Sequence, residues 1–355
     1  MKQETRGLHT LDEIRTQPES WEGVFRRIDR KKKELTEIIS RADEIICAGC
    51  GSAFNVSHSV APLLQYHTGI TTRAVHASDI MIHMPFFLNS GKKTLLIVFS
   101  RSGNTTESVR AVQAVKESGA LTLSVVCFGD SRMASDADAA IVLEEAQEMS
   151  VTTSRSLTAM IIAGSYLGAV CAGQHDACNR MKTLPAMGRE RMDVFEELGR
   201  RIGSDTAIEK YAFLGSGSYY GLAREAQLKI KEMVLLPSDS YVTLDFQHGP
   251  MANVDPTMLV TLLVSDAGRE YELSVARKMK ELGGRIFVLC EKGGKEFERC
   301  AEYVLELKSG LGDGIRNVLY MPSIQFMAYE RSLGQGQDPD NPKNLCYYVK
   351  LAHGT

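Results

Sequence analysis

The chain has 355 residues, about the length of two ordinary domains. Hydrophobic residues make up 44% of it and charged residues 24%, which excludes a disordered, collagen-like or fibrous protein. The formal net charge of −3 argues against a nucleic-acid-binding protein, which needs a basic surface.

The sequence has no feature of a membrane or secreted protein. Its most apolar long stretch, 157–172, is shorter than the roughly 18 residues of a membrane-spanning helix. The start MKQETRGLHTLDEIR lacks the apolar core of a signal peptide. The eight cysteines fall mostly within apolar runs, as buried free thiols do in a reducing compartment. We therefore expect a cytoplasmic protein that binds neither nucleic acid nor a membrane.

The predicted elements begin with a helical segment, 1–40, and continue with an α/β domain at 41–175. Short, almost continuously apolar runs in that domain predict the strands of a parallel sheet that helices cover on both faces. Apolar positions at helical spacing, ended by Gly119, predict a helix over 105–119. The predicted strands are 44–48, 72–76, 94–99, 121–127 and 139–143.

The second half of the chain repeats the first at an offset of about 165 residues. In both copies an apolar run leads into Gly-x-Gly-Ser and then a helical pattern. We therefore predict a second domain at 204–334 and, for the whole chain, an α/β fold of two tandem, doubly wound, flavodoxin-like parallel-sheet domains related by duplication. The matching pairs are 44–66 with 208–230, 94–100 with 258–265, 107–128 with 271–291, and 137–144 with 301–308.

The remaining segments are predicted to be helical or irregular. A helical connector covers 176–203, continuing a helical pattern that starts at 154 and breaks near Pro185. A C-terminal helix covers 316–334. The tail at 335–355 is rich in turn residues, so we expect it on the surface.

The strongest candidate site is the loop SRSGNTTES at 100–108, where a strand of the first copy ends. Ligands of open α/β sheets bind at such strand ends. Several hydroxyls surround a glycine there and a helix begins at once, a combination that suits a phosphate monoester. The alternative, N-capping by Ser102 or Asn104, needs a single residue and leaves the others unexplained. The hydroxyls belong to Ser100, Ser102, Thr105 and Thr106.

The corresponding loop of the second copy, Ser-Asp-Ala-Gly at 265–268, has lost most of the hydroxyls and gained an aspartate. Because a carboxylate repels phosphate, only the first copy is predicted to bind it.

The glycine turn at 49–52 does not indicate a dinucleotide site, since Phe54 stands at the third glycine position and no acidic residue follows about 20 residues later. Cys47 and Cys50 form a CxxC, for which a redox or metal role is the alternative to buried thiols. No second CxxC accompanies them, so we predict neither a metal nor a cofactor.

In the second copy, Glu225, Lys229 and Glu232 share one face of a predicted helix. A solvated row of salt bridges is one interpretation. The other is a site, because the helix follows a strand-end glycine turn. His248 precedes Gly249-Pro250, an irregular backbone in which a histidine does not belong to a core. Together with the phosphate loop, these residues suggest proton transfer on a phosphorylated small molecule.

The motifs resemble those of the SIS (sugar isomerase) family over nearly the whole chain. The pattern is similar to the isomerase half of glucosamine-6-phosphate synthase (glutamine–fructose-6-phosphate aminotransferase). It is also similar to stand-alone amino-sugar-phosphate deaminases, tagatose-6-phosphate ketose/aldose isomerases and fructosamine-6-phosphate deglycases. The matching motifs are GCGSAFN at 49–55, SRSGNTTES at 100–108, EMSVTTSRSLT at 148–158, EAQLKIKE at 225–232, FQHGP at 246–250 and DPDNPKNL at 338–345.

The resemblance implies a role for each matching residue. Phosphate would be held by the 100–105 loop and by the first glycine turn, and the sugar hydroxyls by the 151–153 loop. Glu232 would move a proton between C1 and C2, with Lys229 beside the substrate and Glu225 as a further candidate. His248 would assist ring opening from the partner subunit of a homodimer. The binding residues would be Gly51, Ser52, Ser100, Arg101 (through its backbone), Ser102, Thr105, Val151 and Thr153.

Two departures from the synthase pattern favour cleavage of a C–N bond. No glutaminase-like sequence with a nucleophilic cysteine precedes residue 40, and Tyr347 stands where the synthase tail has a lysine. The leading hypothesis is a deaminase or deglycase of a 6-phosphorylated amino sugar or amine-conjugated sugar. The alternatives are a plain aldose–ketose 6-phosphate isomerase and a non-catalytic sugar-phosphate-sensing regulator, which would not need Glu232 and His248 together.

Overall fold

The structure, a computed structural model, describes residues 6–351 and falls into two α/β units. The first unit comprises residues 16–186 and 344–351, and the second comprises 6–15 and 187–343. Helix α1 (Leu8–Arg15) therefore belongs to the second unit, and the end of the chain returns to the first. This division differs from the predicted boundaries, which kept 1–40 and 335–355 as separate segments.

The first unit is built on a parallel sheet with the strand order β2-β1-β3-β4-β5. Each predicted strand is present to within one residue. The central strands β1 and β3 are buried along their whole length, whereas β2, at the edge, buries only Val75. The strands are β1 (Glu44–Gly49), β2 (Thr71–His76), β3 (Thr94–Ser100), β4 (Leu121–Val126) and β5 (Ala139–Val142).

Helices pack on this sheet through aliphatic side chains. Val109, Val112 and Val115, the positions that predicted a helix, pack against Leu96 and Val98 of β3 in one buried cluster. The helices are α2 (Gln17–Arg30), α3 (Lys32–Ser40), α4 (Ser52–Thr68), α5 (Ala77–His83), α6 (Thr106–Glu117), α7 (Arg132–Asp136), α8 (Arg155–Cys171) and α9 (His175–Met181).

The second unit has the same parallel strand order, β7-β6-β8-β9-β10. Its edge strand β7, with the polar sequence SDSY, has no apolar pattern and was not predicted. Its strands are β6 (Lys210–Gly215), β7 (Ser238–Tyr241), β8 (Met258–Leu263), β9 (Arg285–Cys290) and β10 (Tyr303–Glu306). Its further helices are α10 (Leu184–Gly203), α11 (Ser218–Lys229), α12 (Arg269–Glu281), α13 (Gly294–Cys300), α14 (Asp313–Arg316) and α15 (Met321–Gly334).

The second unit repeats the backbone conformation of the first glycine turn. Gly51 has φ 55° and ψ −127°, and Gly217 has φ 58° and ψ −128°. Both lie in the left-handed region that favours glycine. A Cβ on Gly49 would lie 2.7 Å from the Ala53 carbonyl oxygen, and one on Gly215 would lie 2.5 Å from the equivalent oxygen of Tyr219. The duplication and the predicted fold class are thereby confirmed.

Most of the tail within residues 335–351 is exposed, as predicted, but a short part of it is buried. Pro339 and Asp340 are buried, because the Asp340 carboxylate accepts hydrogen bonds from the Thr10 N–H and hydroxyl, both at 2.7 Å. The predicted break near Pro185 lies at 182–183, between α9 and α10. No helix within residues 6–351 is both long and apolar enough to cross a membrane.

Candidate functional site

The 100–108 loop follows β3 and ends at the first turn of α6. Ser100 and Ser102 are buried, and their hydroxyls accept hydrogen bonds from the backbone N–H groups of Gly103 and Asn104 at 3.1 and 3.2 Å. Gly103 has φ 63°, and a Cβ there would lie 2.2 Å from the Ser131 hydroxyl. The loop is therefore held in one tight shape.

Simple N-capping does not explain this loop. The residue before α6 is Thr105, and no side chain caps the helix. Moreover, within residues 6–351 the N–H groups of Arg101 and Ser102 donate to no protein acceptor. The loop thus combines open backbone donors, hydroxyls and a helix N-terminus, which is the set of groups that binds an anion.

The first glycine turn lies beside this loop, since β1 and β3 are neighbouring parallel strands that end at the same edge of the sheet. Gly51 precedes α4, and Ser52 is its first residue. Cys50 is half-buried, with its Sγ 3.8 Å from the Ser108 hydroxyl, and burial raises the pKa of its thiol to about 11. Cys47 is fully buried and burial raises its pKa as well.

Neither cysteine of the CxxC is therefore a ready nucleophile, because the thiolate is the reactive form. All eight cysteines of the chain are free thiols, although Cys346 is exposed, contrary to the general expectation of burial. Among residues 6–351, no group of three or more His, Cys, Asp or Glu side chains is arranged to hold a metal ion.

The predicted sugar-contacting loop is joined to the phosphate loop by Arg101. Val151 and Thr153 are half-buried, and the Val151 carbonyl accepts a 2.7 Å hydrogen bond from the Arg101 guanidinium. The same guanidinium lies 3.2 Å from the Glu148 carboxylate, and both side chains are almost fully buried. The structure therefore brings the two loops together, through the side chain of Arg101.

Glu148 is a residue that the sequence analysis missed. Its carboxylate accepts hydrogen bonds from the Ser154 and Ser156 N–H groups at 2.6 and 3.0 Å, and so satisfies donors at the start of α8. Glu148 is the first residue of the motif at 148–158, where it was assigned no role, and locally it is only an acidic residue shortly before a helix. That signal does not reveal that Arg101, far along the chain, is its ion-pair partner.

In the second unit, Glu225 and Lys229 are fully buried and Glu232 keeps 21% of its side chain exposed. The Lys229 ammonium lies 2.6 Å from the Glu232 carboxylate and 3.3 Å from that of Glu225. A solvated row of salt bridges is therefore wrong for this set. Burial by itself lowers the pKa of Lys229, but the two carboxylates outweigh it and leave that pKa above its ordinary value.

The backbone leaves regular helix where Glu232 stands. α11 ends at Lys229, and a π-helical turn, Ile230–Val234, follows it. Leu235 then adopts φ 62°, a conformation that is costly for a leucine. Such turns occur often at functional sites. Here the turn carries Glu232, whose carboxylate is partly exposed, whereas the buried Glu225 lies on the regular part of α11.

His248 is exposed and follows a short 3₁₀ turn, Asp245–Gln247. Gly249 has φ 129°, so the irregular backbone expected from Gly-Pro is present. The histidine stands outside the buried cluster of Glu225 and Lys229. Of the predicted residues, the second unit thus holds Glu225, Lys229, Glu232 and His248, and the first unit holds the rest.

The second copy of the phosphate loop is filled by the protein itself. The Asp313 carboxylate accepts hydrogen bonds from the N–H groups of Asp266, at 2.8 and 3.0 Å, and of Ala267, at 3.3 Å. These N–H groups correspond to those of Arg101 and Ser102 in the first copy. An internal carboxylate therefore occupies the position that is open to an anion in the first unit.

Comparison with known proteins identifies the family. The family model described as "SIS domain" matches residues 38–169 and 208–329, one match on each copy. The chain belongs to the SIS domain family. The SIS chain also resembles a solved structure, tagatose-6-phosphate ketose/aldose isomerase from Escherichia coli, with TM-score 0.83 and 25% identity over 94% of this chain and 95% of that one.

A curated relative of this SIS protein is glutamine–fructose-6-phosphate aminotransferase (isomerizing) from Pyrobaculum aerophilum. The two are 25% identical over 96% of this chain and 57% of the relative, so the chain spans a little over half the length of that protein. The solved glucosamine-6-phosphate deaminase from Thermotoga maritima has TM-score 0.74 and 23% identity, over 93% of this chain and 100% of that one. That likeness shows the shared fold.

Proposed function

We propose that this protein is a phosphosugar enzyme that transfers a proton between C1 and C2 of a 6-phosphorylated amino sugar or amine-conjugated sugar and releases the amine. The observation that carries the proposal is the pair formed by Lys229 and Glu232. A fully buried ammonium lies 2.6 Å from a partly exposed carboxylate. A charged, accessible carboxylate is the group that a general base needs.

The proposed chemistry moves one carbon-bound proton through the Glu232 carboxylate. After ring opening, Glu232 removes the proton from the carbon next to the carbonyl, the electron pair forms the C1–C2 double bond, and the carbonyl oxygen takes up a proton to give an enediol or enolamine. The protonated Glu232 then returns its proton to the neighbouring carbon, while the amine nitrogen of the enolamine loses a proton and becomes an imine (in an enediol, a hydroxyl loses the proton and becomes a carbonyl). Water adds to the resulting imine carbon, and the C–N bond breaks as the amine takes up a proton. Lys229 stays charged throughout and stabilises the carboxylate.

The open donors of the 100–105 loop support a phosphorylated substrate. In the second unit the corresponding backbone N–H groups bind a carboxylate, which supports anion binding at this position of the loop. The first unit has hydroxyls in place of the aspartate of the 265–268 loop, so we assign the phosphate to Ser100, Ser102 and Thr105. We assign the sugar hydroxyls to the 151–153 loop. Gly51 and Ser52 would complete the phosphate site.

A plain aldose–ketose isomerase is the second candidate. It is favoured by the similarity over almost the full length of both chains to the Escherichia coli tagatose-6-phosphate isomerase. It would use the same proton transfer without loss of an amine. A pure sensor of sugar phosphates would gain nothing from the buried ammonium beside Glu232.

We further propose a homodimer in which each active site receives His248 from the partner subunit. The exposure of this side chain, on a backbone fixed by Gly249 and Pro250, supports a role toward another chain. The free thiols also favour our proposal that the protein works in the cytoplasm.

The experiment is a panel of phosphosugars with and without an amine, assayed in heavy water with wild type and Glu232→Gln. Glutamine keeps the size of the side chain but accepts no proton, so we expect turnover to fall at least about a hundredfold. Deuterium should enter the wild-type product at C1 or C2, and amine release separates the deaminase or deglycase from the isomerase. Glu197→Gln, at an exposed ion pair on α10, is the control.

An unchanged turnover of Glu232→Gln would remove this carboxylate from the mechanism. If the wild type binds the panel sugars but converts none of them, the sugar-phosphate sensor becomes the better hypothesis.

A further inference from the structure

An arginine in a phosphate loop would ordinarily be expected to bind the phosphate. The guanidinium of Arg101 is already committed to the protein. One terminal nitrogen donates to the Ser150 carbonyl at 3.0 Å and lies 3.2 Å from the Glu148 carboxylate, and the other donates to Val151 at 2.7 Å. With the side chain only 6% exposed, it has no free edge to offer a ligand.

The C-terminal segment, residues 345–351, is attached to this guanidinium. The ring of Tyr347 stacks on Arg101, with the guanidinium carbon 3.9 Å from the ring centroid. The Tyr347 carbonyl accepts a 3.0 Å hydrogen bond from Arg101, and its hydroxyl donates to the Glu148 carbonyl at 2.9 Å. Stacking and two hydrogen bonds thus converge on one residue of the segment.

Beyond Tyr347 the segment crosses the start of α6. The Val349 carbonyl accepts a 3.3 Å hydrogen bond from the Thr106 N–H, the first N–H of the helix. The Leu351 N–H donates to the Thr106 hydroxyl at 3.1 Å. The segment therefore borders the N-terminus of α6, and as far as residue 351 it accepts no hydrogen bond from the N–H groups of Arg101 and Ser102.

We propose that Arg101 and Tyr347 are positioning residues that fasten the C-terminal segment across the start of α6 and make it one wall of the phosphate site. The proposal rests on the assignment of phosphate to the 100–105 loop. The Arg101 guanidinium fixes the phosphate loop, the 151–153 loop and the C-terminal segment at once, through hydrogen bonds that all go to the protein.

A coupling follows from this arrangement. An anion that binds only the ordered phosphate loop also stabilises the segments that Arg101 holds against that loop, namely the 151–153 loop and the C-terminal segment. The segment must in turn strengthen anion binding, since the coupling between two events is reciprocal. Loss of the Tyr347 ring should therefore weaken phosphate binding even though the ring touches no phosphate.

The test compares three variants with wild type in the full-length protein, with inorganic phosphate and fructose 6-phosphate as probes. Tyr347→Ala removes the stack and the hydroxyl, Tyr347→Phe removes only the hydroxyl, and Tyr348→Ala removes the adjacent ring as the control. We expect Tyr347→Ala to weaken binding of both probes at least about fivefold, the lower end of ordinary coupling, and the other two variants to change it less than twofold.

Hydrogen exchange gives a second readout that a general loss of stability would not reproduce. Phosphate should slow amide exchange in 345–351 in wild type and in Tyr348→Ala, and should have no such effect in Tyr347→Ala. Unchanged probe binding by Tyr347→Ala, or phosphate-dependent protection that survives in it, would overturn the proposal.

Ser102→Ala separates this outcome from failure of the proposed phosphate site. If Ser102→Ala weakens phosphate binding and Tyr347→Ala does not, the loop binds phosphate and only the positioning role is wrong. If neither variant changes binding while wild type binds, the phosphate site itself is elsewhere.

Discussion

Burial and neighbouring charges together decide whether the Lys229 side chain keeps its proton. An isolated ammonium at this depth would lose its proton, because water no longer stabilises the charge. Two carboxylates within 3.3 Å keep it charged, and only one of them, Glu232, reaches solvent. The second carboxylate, Glu225, therefore leaves a positive charge in place even when Glu232 takes up a proton.

The phosphate assignment gives a prediction for Ser102. Ser102→Ala removes a hydroxyl that is remote from the bonds that react, so KM should rise about tenfold or more while kcat changes little. Steady-state kinetics of Ser102→Ala and Ser100→Ala check it. Ser118→Ala, at the opposite end of α6, is the matched control. A KM that stays at the wild-type value in both loop variants would place the phosphate elsewhere.

Glu272 gives a prediction for pH dependence. It is 2% exposed, and burial raises its pKa to about 7, with the Asp313 carboxylate adding to the rise. An acid with a raised pKa favours the folded state at low pH, and this contribution is lost as the pH rises from the unfolded value near 4.3 through 7.

Glu272→Gln has no proton to lose and should therefore gain stability relative to wild type as the pH rises from 4.5 to 8, by up to about 3 kcal/mol. Urea unfolding of both proteins at several pH values measures the difference. Glu281→Gln, on the same helix, should track wild type, and a difference for Glu272→Gln that does not change with pH would contradict the predicted ionisation.

The sequence singled out candidate residues that belong to a local pattern. It did not single out residues whose role depends on a contact with a partner far along the chain. Helical spacing united Glu225, Lys229 and Glu232, and a run of hydroxyls marked the phosphate loop. Glu148 and Asp313 gave no such signal. Each is a lone acid whose importance comes from backbone N–H groups or an arginine far along the chain, a relation that spacing cannot show.

At the scale of elements, the apolar strands were predictable and the polar edge strand β7 was not. The central strands bury both faces, so their composition is apolar throughout and their limits are clear. The edge strand β7 buries little, and its polar sequence is that of a loop. The π turn after α11 was also unpredictable, because EAQLKIKE continues the helical pattern through Glu232.

The two copies of the phosphate loop yield a prediction for Asp313. Asp313→Ala leaves the N–H groups of Asp266 and Ala267 without an acceptor and removes an ion pair of Arg316, which is completely buried. Arg316 keeps its ion pair with Asp266, so we expect a loss of about 1–3 kcal/mol of stability, the usual cost of leaving hydrogen-bonding groups unsatisfied.

Because the vacated loop should bind a small anion, formate should restore part of the melting temperature of Asp313→Ala. Chloride at equal ionic strength should not. Asp255→Ala, which breaks the ion pair with Lys210, serves as the control for general salt effects. Equal responses of the two variants to formate would show that the loop of the second copy is not an anion site.

For the whole molecule, the proposed sharing of His248 predicts complementation. A dimer that contains one Glu232→Gln and one His248→Ala protomer has one intact site if each site takes its glutamate and histidine from different chains. Random mixing of the two inactive variants should then restore about a quarter of wild-type activity, since half of the dimers are mixed. Mixed dimers, isolated by two affinity tags, that remain inactive would show that each chain supplies both residues to its own site.

The ends of the chain belong to opposite units: residues 6–15 to the second and 344–351 to the first. During synthesis the first unit leaves the ribosome without the segment that holds Arg101 and covers the start of α6. At usual rates of translation it waits roughly ten seconds to half a minute while the second unit is made. A nascent first unit would thus carry the 100–108 loop before residues 344–351 support it, and the proposed anion site would be complete only when those residues emerge.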